Sequence, residues 1–322
     1  MKRIIVLPVI LLSVFIMCSV VYGKTSSTLN YGYNSIVNDR VVNIDKEMDY
    51  EEYSTGIDRI VYYKDYIFYF NSTKGQIIRN NKDGSNEVMV SNNYGCDYCY
   101  YDGKIFYQGE MDDEYYGIYS FDLDTLKIKK YMTFKGMVVL VNQIYNDYIY
   151  FTANSIDDVL KMNLNNNKAC RININTCQSE TIDNSSGSKY MLAKGDNIAV
   201  INYKSRDTND IDISIYNINN LQIKKNIEFN NESTGSASFV GMYNDDVFVY
   251  NYTDNILYRY HNNNWEEVLR FSQFDKTYKT NIYIFEEDYI YFNFYKNISD
   301  NETETKVFKY GLDSGKLTEE SK

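Results

Sequence analysis

The chain has 322 residues, 16% of them aromatic, with 35 Tyr and a single Pro. Aromatic and β-branched side chains suit a pleated surface, so this composition points to β structure. A net charge of −11 excludes nucleic acid as a partner, because phosphates need a basic patch.

In chain order, Lys2 and Arg3 precede an uncharged apolar run, Ile4 to Tyr22. Val21-Tyr22-Gly23 supplies a cleavage signature, so residues 1–23 are expected to be a signal helix cut after Gly23. The run is also long enough to span a bilayer, and a retained anchor would be the one reason for membrane association. Lipidation at Cys18 lacks the small residue that Phe15-Ile16-Met17 would have to provide. Residues 24–56 come next. Within them Ser35 to Ile44 is expected to be an edge strand that closes a ring beside the last repeat, since bare strand edges invite aggregation.

Residues 57–322 repeat a short aromatic strand. The repeats align on Ile67 (DYIFYF), Ile105 (GKIFYQ), Ile149 (DYIYFT), Ile198 (DNIAVI), Val247 (DDVFVY) and Ile290 (DYIYFN). A preceding run, such as Ile60 to Tyr63 or Phe239 to Tyr243, supplies one more strand. A following run begins at Ile77, Ile118, Val159, Ile213, Leu257 and Val307, and ends in a turn of Asp, Asn, Gly or Ser. A last strand follows, such as Glu87 to Val90 or Glu266 to Phe271. Four strands, a to d, at a period near 40–50 residues predict an all-β fold, a six-bladed β-propeller of four-stranded antiparallel blades.

Ile77-x-Arg79 followed by Asp83-Gly84-Ser85-Asn86 resembles the YWTD-type propeller of low-density lipoprotein receptors, and more closely its secreted bacterial version, a family of unknown function. The resemblance extends over about residues 55–322. Only the first repeat keeps the whole turn, and the Trp of the receptor motif is absent. The resemblance implies six blades and a binding or scaffold role, and it carries over no catalytic residue.

The a–b and c–d turns read as tight. The b–c connections vary: Asn71 to Gln76 is short, while Gln108 to Gly117, Asn202 to Asp212 and Asn293 to Lys306 are long. Among d–a connections, Gln178 to Tyr190 and Asn230 to Ala237 are long. Variable loops on a rigid scaffold are where binding concentrates, so the b–c and d–a end is the expected binding face. The acids there are the candidate site: Glu110, Asp112, Asp113 and Glu114 in one connection, and Asp157 and Asp158 in the next. Solvated loop acids are the plainer explanation of the same residues.

His261, the only histidine, shares a turn column with Asn81, Asp122, Asn163, Asn217 and Gly311, and reads as a turn residue. A lone histidine also removes Ser-His-Asp and Cys-His catalysis and a His-rich zinc site. Cys96 and Cys99 lie about 10 Å apart along one strand, too far for a direct bond. Cys170 and Cys177 flank RININT and are the expected disulfide in an oxidising compartment.

The expected protein is therefore secreted or held at the outer face of the envelope. It binds a protein or glycan without catalysis and needs no cofactor. Two alternatives stay open. One is a carboxylate-dependent hydrolase or lyase on extracellular polysaccharide, because paired acids about 5–10 Å apart would serve that chemistry. The other is a structural module stabilised by Ca²⁺, which favours such oxygen ligands.

Overall fold

The structure, a computed structural model, describes residues 34–37, 40–43, 57–71, 75–92, 94–112, 115–155, 167–183, 188–203, 210–230, 237–272, 278–284, 288–299 and 302–320. For 34–37, 40–43, 57–62, 94–100, 110–112, 115, 188–189, 281–284, 297, 299, 302–303 and 320 the backbone alone is described. The expected signal segment, 1–23, lies outside these residues. No helix occurs among the described residues, and none is long and apolar enough to cross a membrane.

The described strands form six sheets. The first contains β1 (Asn34–Val37), β2 (Arg40–Asn43), β3 (Ile57–Tyr63), β4 (Tyr66–Asn71), β5 (Gln76–Asn81) and β6 (Val88–Ser91). The second contains β7 (Tyr94–Tyr101), β8 (Lys104–Asp112), β9 (Tyr115–Asp122) and β10 (Ile128–Lys135). The third contains β11 (Met137–Tyr145), β12 (Tyr148–Ser155), β13 (Lys168–Asn173) and β14 (Ser179–Asp183). The fourth contains β15 (Ser188–Lys194), β16 (Asn197–Tyr203), β17 (Ile211–Asn217) and β18 (Ile223–Phe229). The fifth contains β19 (Ala237–Tyr243), β20 (Asp246–Asn251), β21 (Ile256–His261) and β22 (Asn264–Arg270). The sixth contains β23 (Lys279–Ile284), β24 (Tyr289–Ser299), β25 (Glu302–Gly311) and β26 (Leu317–Glu320). The first three sheets belong to one compact unit and the last three to another.

Within each sheet the four repeat strands pair antiparallel in the order a-b-c-d. The six aligned anchors all fall on strand b, and all are buried. Successive strand residues point to opposite faces, and both faces of strand b are covered. In the first unit Phe68 and Phe70 of β4 pack with Ile105 and Tyr107 of β8, while Phe106 of β8 packs with Ile149 and Phe151 of β12. In the second, Ala199 and Ile201 of β16 pack with Val247 and Val249 of β20, while Phe248 and Tyr250 of β20 pack with Ile290, Phe292 and Phe294. The anchor thus faces the preceding sheet and its neighbour faces the following one. Full burial of one such side chain contributes about 1.5–3 kcal/mol.

The structure differs from the sequence reading in three places. The strand expected within 24–56 is present as the hairpin β1–β2, but β1 pairs in parallel with β3 and β2 forms the edge of the first sheet, while the last sheet consists of β23 to β26. Strand c of the third sheet is Lys168–Asn173 and not the run from Val159, which lies outside the described residues. The supposed d–a loop from Gln178 therefore contains strand d, β14.

That shift also removes the expected disulfide. Cys170 is buried in mid-strand opposite Thr181, and Cys177 sits exposed in the following turn with φ +58°. Both are free thiols. Three strand steps, about 10 Å, already separate Cys170 from the start of that turn, beyond disulfide reach. Burial also pushes the Cys170 thiol above its ordinary pKa, which keeps it protonated and inert. In Ellman titration of the native chain, Cys177 should react quickly and Cys170 only after unfolding. Cys177→Ser should delete the fast phase from this pair.

Candidate functional site

The two ends of the sheets differ in chemistry. At one end lie the a–b and c–d turns. The a–b pairs Asp102-Gly103, Asn146-Asp147 and Asn244-Asp245 all have positive φ. Two consecutive left-handed residues fit the right-handed twist of a hairpin, and Asn, Asp and Gly tolerate that conformation best.

The c–d turns repeat one motif: Asp122-Leu-Asp-Thr-Leu-Lys127, Asn173-Ile-Asn-Thr-Cys-Gln178, Asn217-Ile-Asn-Asn-Leu-Gln222 and Gly311-Leu-Asp-Ser-Gly-Lys316. In the first three the leading side chain accepts two backbone N–H bonds. Asp122 accepts from Asp124 at 3.1 Å and Thr125 at 2.7 Å. Asn173 accepts from Asn175 and Thr176, each at 2.9 Å, and Asn217 from Asn219 and Asn220. The second residue then donates its N–H to the a–b turn of its own sheet. Leu123 reaches Gly103 O at 3.0 Å, Ile174 reaches Asp147 O at 2.8 Å, Ile218 reaches Asp196 O at 3.0 Å and Leu312 reaches Asp288 O at 2.8 Å. The fifth residue, Leu126, Cys177, Leu221 or Gly315, takes positive φ in every copy.

The same end ties neighbouring sheets together within each unit. Tyr63 Oη donates to Asp124 Oδ2 at 2.9 Å, and Lys64 pairs with Asp124 Oδ1. Lys129 Nζ donates to Ile174 O at 2.9 Å. Asn197 donates to Asp245 at 2.7 Å, and Tyr243 Oη donates to Asp288 at 3.2 Å. The Lys64 and Tyr63 bonds hold the Asp124 carboxyl below its ordinary pKa, and the bond to Asp124 raises Lys64. Hydrogen bonding to Asp313, then desolvation and Asp288, pushes Tyr243 up to about 12. His261 ends β21 beside the turn Asn262-Asn263, with Nδ1 2.6 Å from Asp246 Oδ1, which agrees with its reading as a turn residue. The polar side chains named at this end hold turns or tie neighbouring sheets.

At the other end lie the b–c and d–a connections. Two of the expected long b–c loops are instead extended hairpins, β8–β9 and β24–β25. Glu110 and Asp112 stand on the β8 ladder, paired with Tyr116 and Tyr115, and their side chains are outside the described set. Asp113, Glu114, Asp157 and Asp158 lie outside the described residues altogether. Among the described residues no three His, Cys, Asp or Glu side chains come together as a metal site.

The described residues at this end carry a feature that hydrophobic periodicity does not mark. Every strand b carries uncharged polar residues a few positions after its anchor: Asn71, Gln108, Thr152 and Asn154, Asn202, Asn251, and Asn293, with β8 and β24 running on beyond them. Most are buried. Asn251 shows one use of them: its Oδ1 accepts from the N–H groups of Thr253 and Asp254 at 2.8 and 3.2 Å, and its Nδ2 donates to Asp254 at 3.0 Å. Beside it Asn255 Oδ1 accepts from Tyr250 Oη at 3.1 Å and Thr280 Oγ1 at 3.3 Å. Amides donate and accept without charge, so this rim can shape loops and meet polar groups. The signal was visible as the last letter of YIFYFN, NIAVIN and DVFVYN.

No protein-family model matches the chain, and no curated protein matches it. The YWTD-type resemblance therefore stands on its quoted residues alone. Solved structures do match. The β-propeller domain of the Trilobed protease from Pyrococcus furiosus is 13% identical, with TM-score 0.51, over 83% of each chain. KlHsv2 is 12% identical, with TM-score 0.51, over 87% of this chain and 88% of that one. TolB from Acinetobacter baumannii is 13% identical with TM-score 0.44, and this chain covers 60% of it. At such identities the first two define the fold alone: the chain has the fold of a β-propeller.

The Lys64–Asp124 contact gives a pH signature. The folded pKa of Asp124 is depressed, so its contribution is present above the unfolded value, ordinarily 3.8, and lost as pH falls through the folded one. The folded pKa of Lys64 is raised, so its contribution is present below 10.5 and lost as pH rises past that. Asp124→Asn should therefore lower urea stability slightly at pH 7, and the gap should narrow as pH falls below 3.8 and as it rises past 10.5. Solvent exposure and salt keep the effect small.

Proposed function

We propose that the chain is an exported, non-catalytic propeller of six four-stranded blades that binds a protein or glycan through its b–c and d–a end. The observation that carries this reading is the contrast between the ends. One end uses its polar side chains on Asx turns and cross-sheet ties. The other sends extended hairpins beyond the shared sheet, with acids along them and amides at their roots. Within each unit the sheets hold such a hairpin beside its neighbouring connections, so more than one segment can meet a ligand. The acids of residues 110–114 and of Asp157 and Asp158 would give that end a negative potential and make binding sensitive to salt. The reading requires no cofactor.

The test uses the full chain on a glycan array and with polylysine as a basic probe, at low and moderate salt. Asp112, Asp113, Asp157 and Asp158 are changed together to Asn. A charge-matched control changes Asp65, Asp102, Asp147 and Asp196 to Asn at the turn end. The first variant should lose binding about tenfold at low salt, with the circular dichroism spectrum unchanged, while the control matches the parent. Equal affinities for the two variants would contradict the reading.

A further inference from the structure

Outer strands are edges, and natural sheets guard their edges with charge. Strand d of five sheets does so. β10 carries Lys129, Lys130 and Lys135, and β14 carries Glu180 and Asp183. β18 carries Lys224, Lys225 and Glu228, β22 carries Glu266, Glu267 and Arg270, and β26 carries Glu319 and Glu320. β6 is the exception. It reads Val-Met-Val-Ser, with Val88 40% and Met89 57% exposed.

A second difference lies directly across from it. Strand c of the third sheet carries Arg171, stacked 4.2 Å from the Tyr148 ring centroid and bonded through Nε to Glu180 of strand d at 2.7 Å. In the fifth sheet Arg259 Nε bonds Glu266 of strand d at 2.6 Å. In the first sheet Arg79 holds the same position and stacks 4.5 Å from the Tyr66 ring centroid. The residue opposite it, however, is Val88. Arg79 Nε is buried without a hydrogen-bond partner among the described residues. The first sheet keeps the guanidinium and lacks its carboxylate.

We propose that the β6 edge accepts an extended peptide segment from another protein as an added strand, and that a carboxylate on that segment completes the Arg79 ion pair. An added strand lies about 4.8 Å beyond β6 and about 10 Å from β5, a gap that an Arg and a Glu side chain span together over Val88. Main-chain bonds to β6 supply affinity, Val88 and Met89 supply apolar contact, and Arg79 selects an acid. A second copy of this chain fits less well. β6 offers no carboxylate within the strand, and two chains of net charge −11 repel one another.

The probes are a capped synthetic peptide, Thr-Val-Thr-Glu-Thr-Val-Thr, and its counterpart with Gln for Glu, titrated against the full chain by calorimetry. The Glu peptide should bind, and the Gln peptide should bind about tenfold more weakly, as expected for loss of a charge-assisted bond. Val88→Glu places the missing carboxylate inside the sheet, as in the third and fifth sheets, and should abolish binding while leaving the fold intact. Arg79→Gln should erase the preference between the peptides. If that variant unfolds, Val88→Glu still decides. No binding at millimolar peptide, equal binding of both peptides, or binding indifferent to Val88→Glu would overturn the proposal. So would concentration-dependent dimerisation abolished by Val88→Glu, which would assign the edge to a second copy.

Discussion

A four-stranded sheet in water has two faces, and its second strand has no neighbour above or below unless another sheet supplies one. Here every strand b is apolar on both faces, and that single fact organises the rest. Ile105 needs the sheet before it, and Phe106 needs the sheet after it. The same holds for Val247 and Phe248. No sheet in such a series completes its own core, so each depends on its neighbours, as stacked repeats do. The repeated aromatic strand is the sequence form of that dependence: a half-exposed strand would alternate, whereas these run continuously apolar.

Once the sheets stack by strand b, their ends separate by role. Turns at one end must be compact, because adjacent a–b and c–d turns hydrogen-bond each other and reach the next sheet. Their polar residues suit turn geometry, which explains why a histidine can stand there in place of Asn or Asp. The other end has no such constraint. Its strands run on as hairpins of different length, and the buried amides at the close of strand b mark where the shared sheet stops and individual connections begin.

The sequence made the six anchors, the strand order and the tight-turn end legible, because periodic burial and Asn/Asp/Gly turns leave direct marks on composition. It hid the third sheet. The run Val159 to Asn165 alternates well enough to pass for strand c, while KACRIN is interrupted by Arg171, which pairs with Glu180 across the sheet. Alignment on the turn instead of the strand would have found it, since NINTCQ matches DLDTLK and NINNLQ residue for residue in type. The same alignment assigns Cys177 to a left-handed turn position and away from Cys170. The amide rim leaves no mark in hydrophobic periodicity, because its uncharged polar residues fall where the apolar run of strand b gives out. The acidic residues of the expected site were legible as a charge cluster, but charge cannot fix distance, and most of them fall outside the described residues.

The central claim is that one turn motif closes the second, third, fourth and sixth sheets onto their own a–b hairpins, in the third sheet through NINTCQ. Native-state hydrogen exchange tests it most directly. The amide of Ile174, bonded to Asp147 O at 2.8 Å, should exchange as slowly as those of Leu123, Ile218 and Leu312 in the equivalent positions, and the Cys177 amide, bonded to Asn173 O at 2.9 Å, should be protected with it. Exchange of Ile174 at the rate of an open loop, with protection appearing instead across Val159 to Asn163, would show that the third sheet is built from the other segment and would contradict the account.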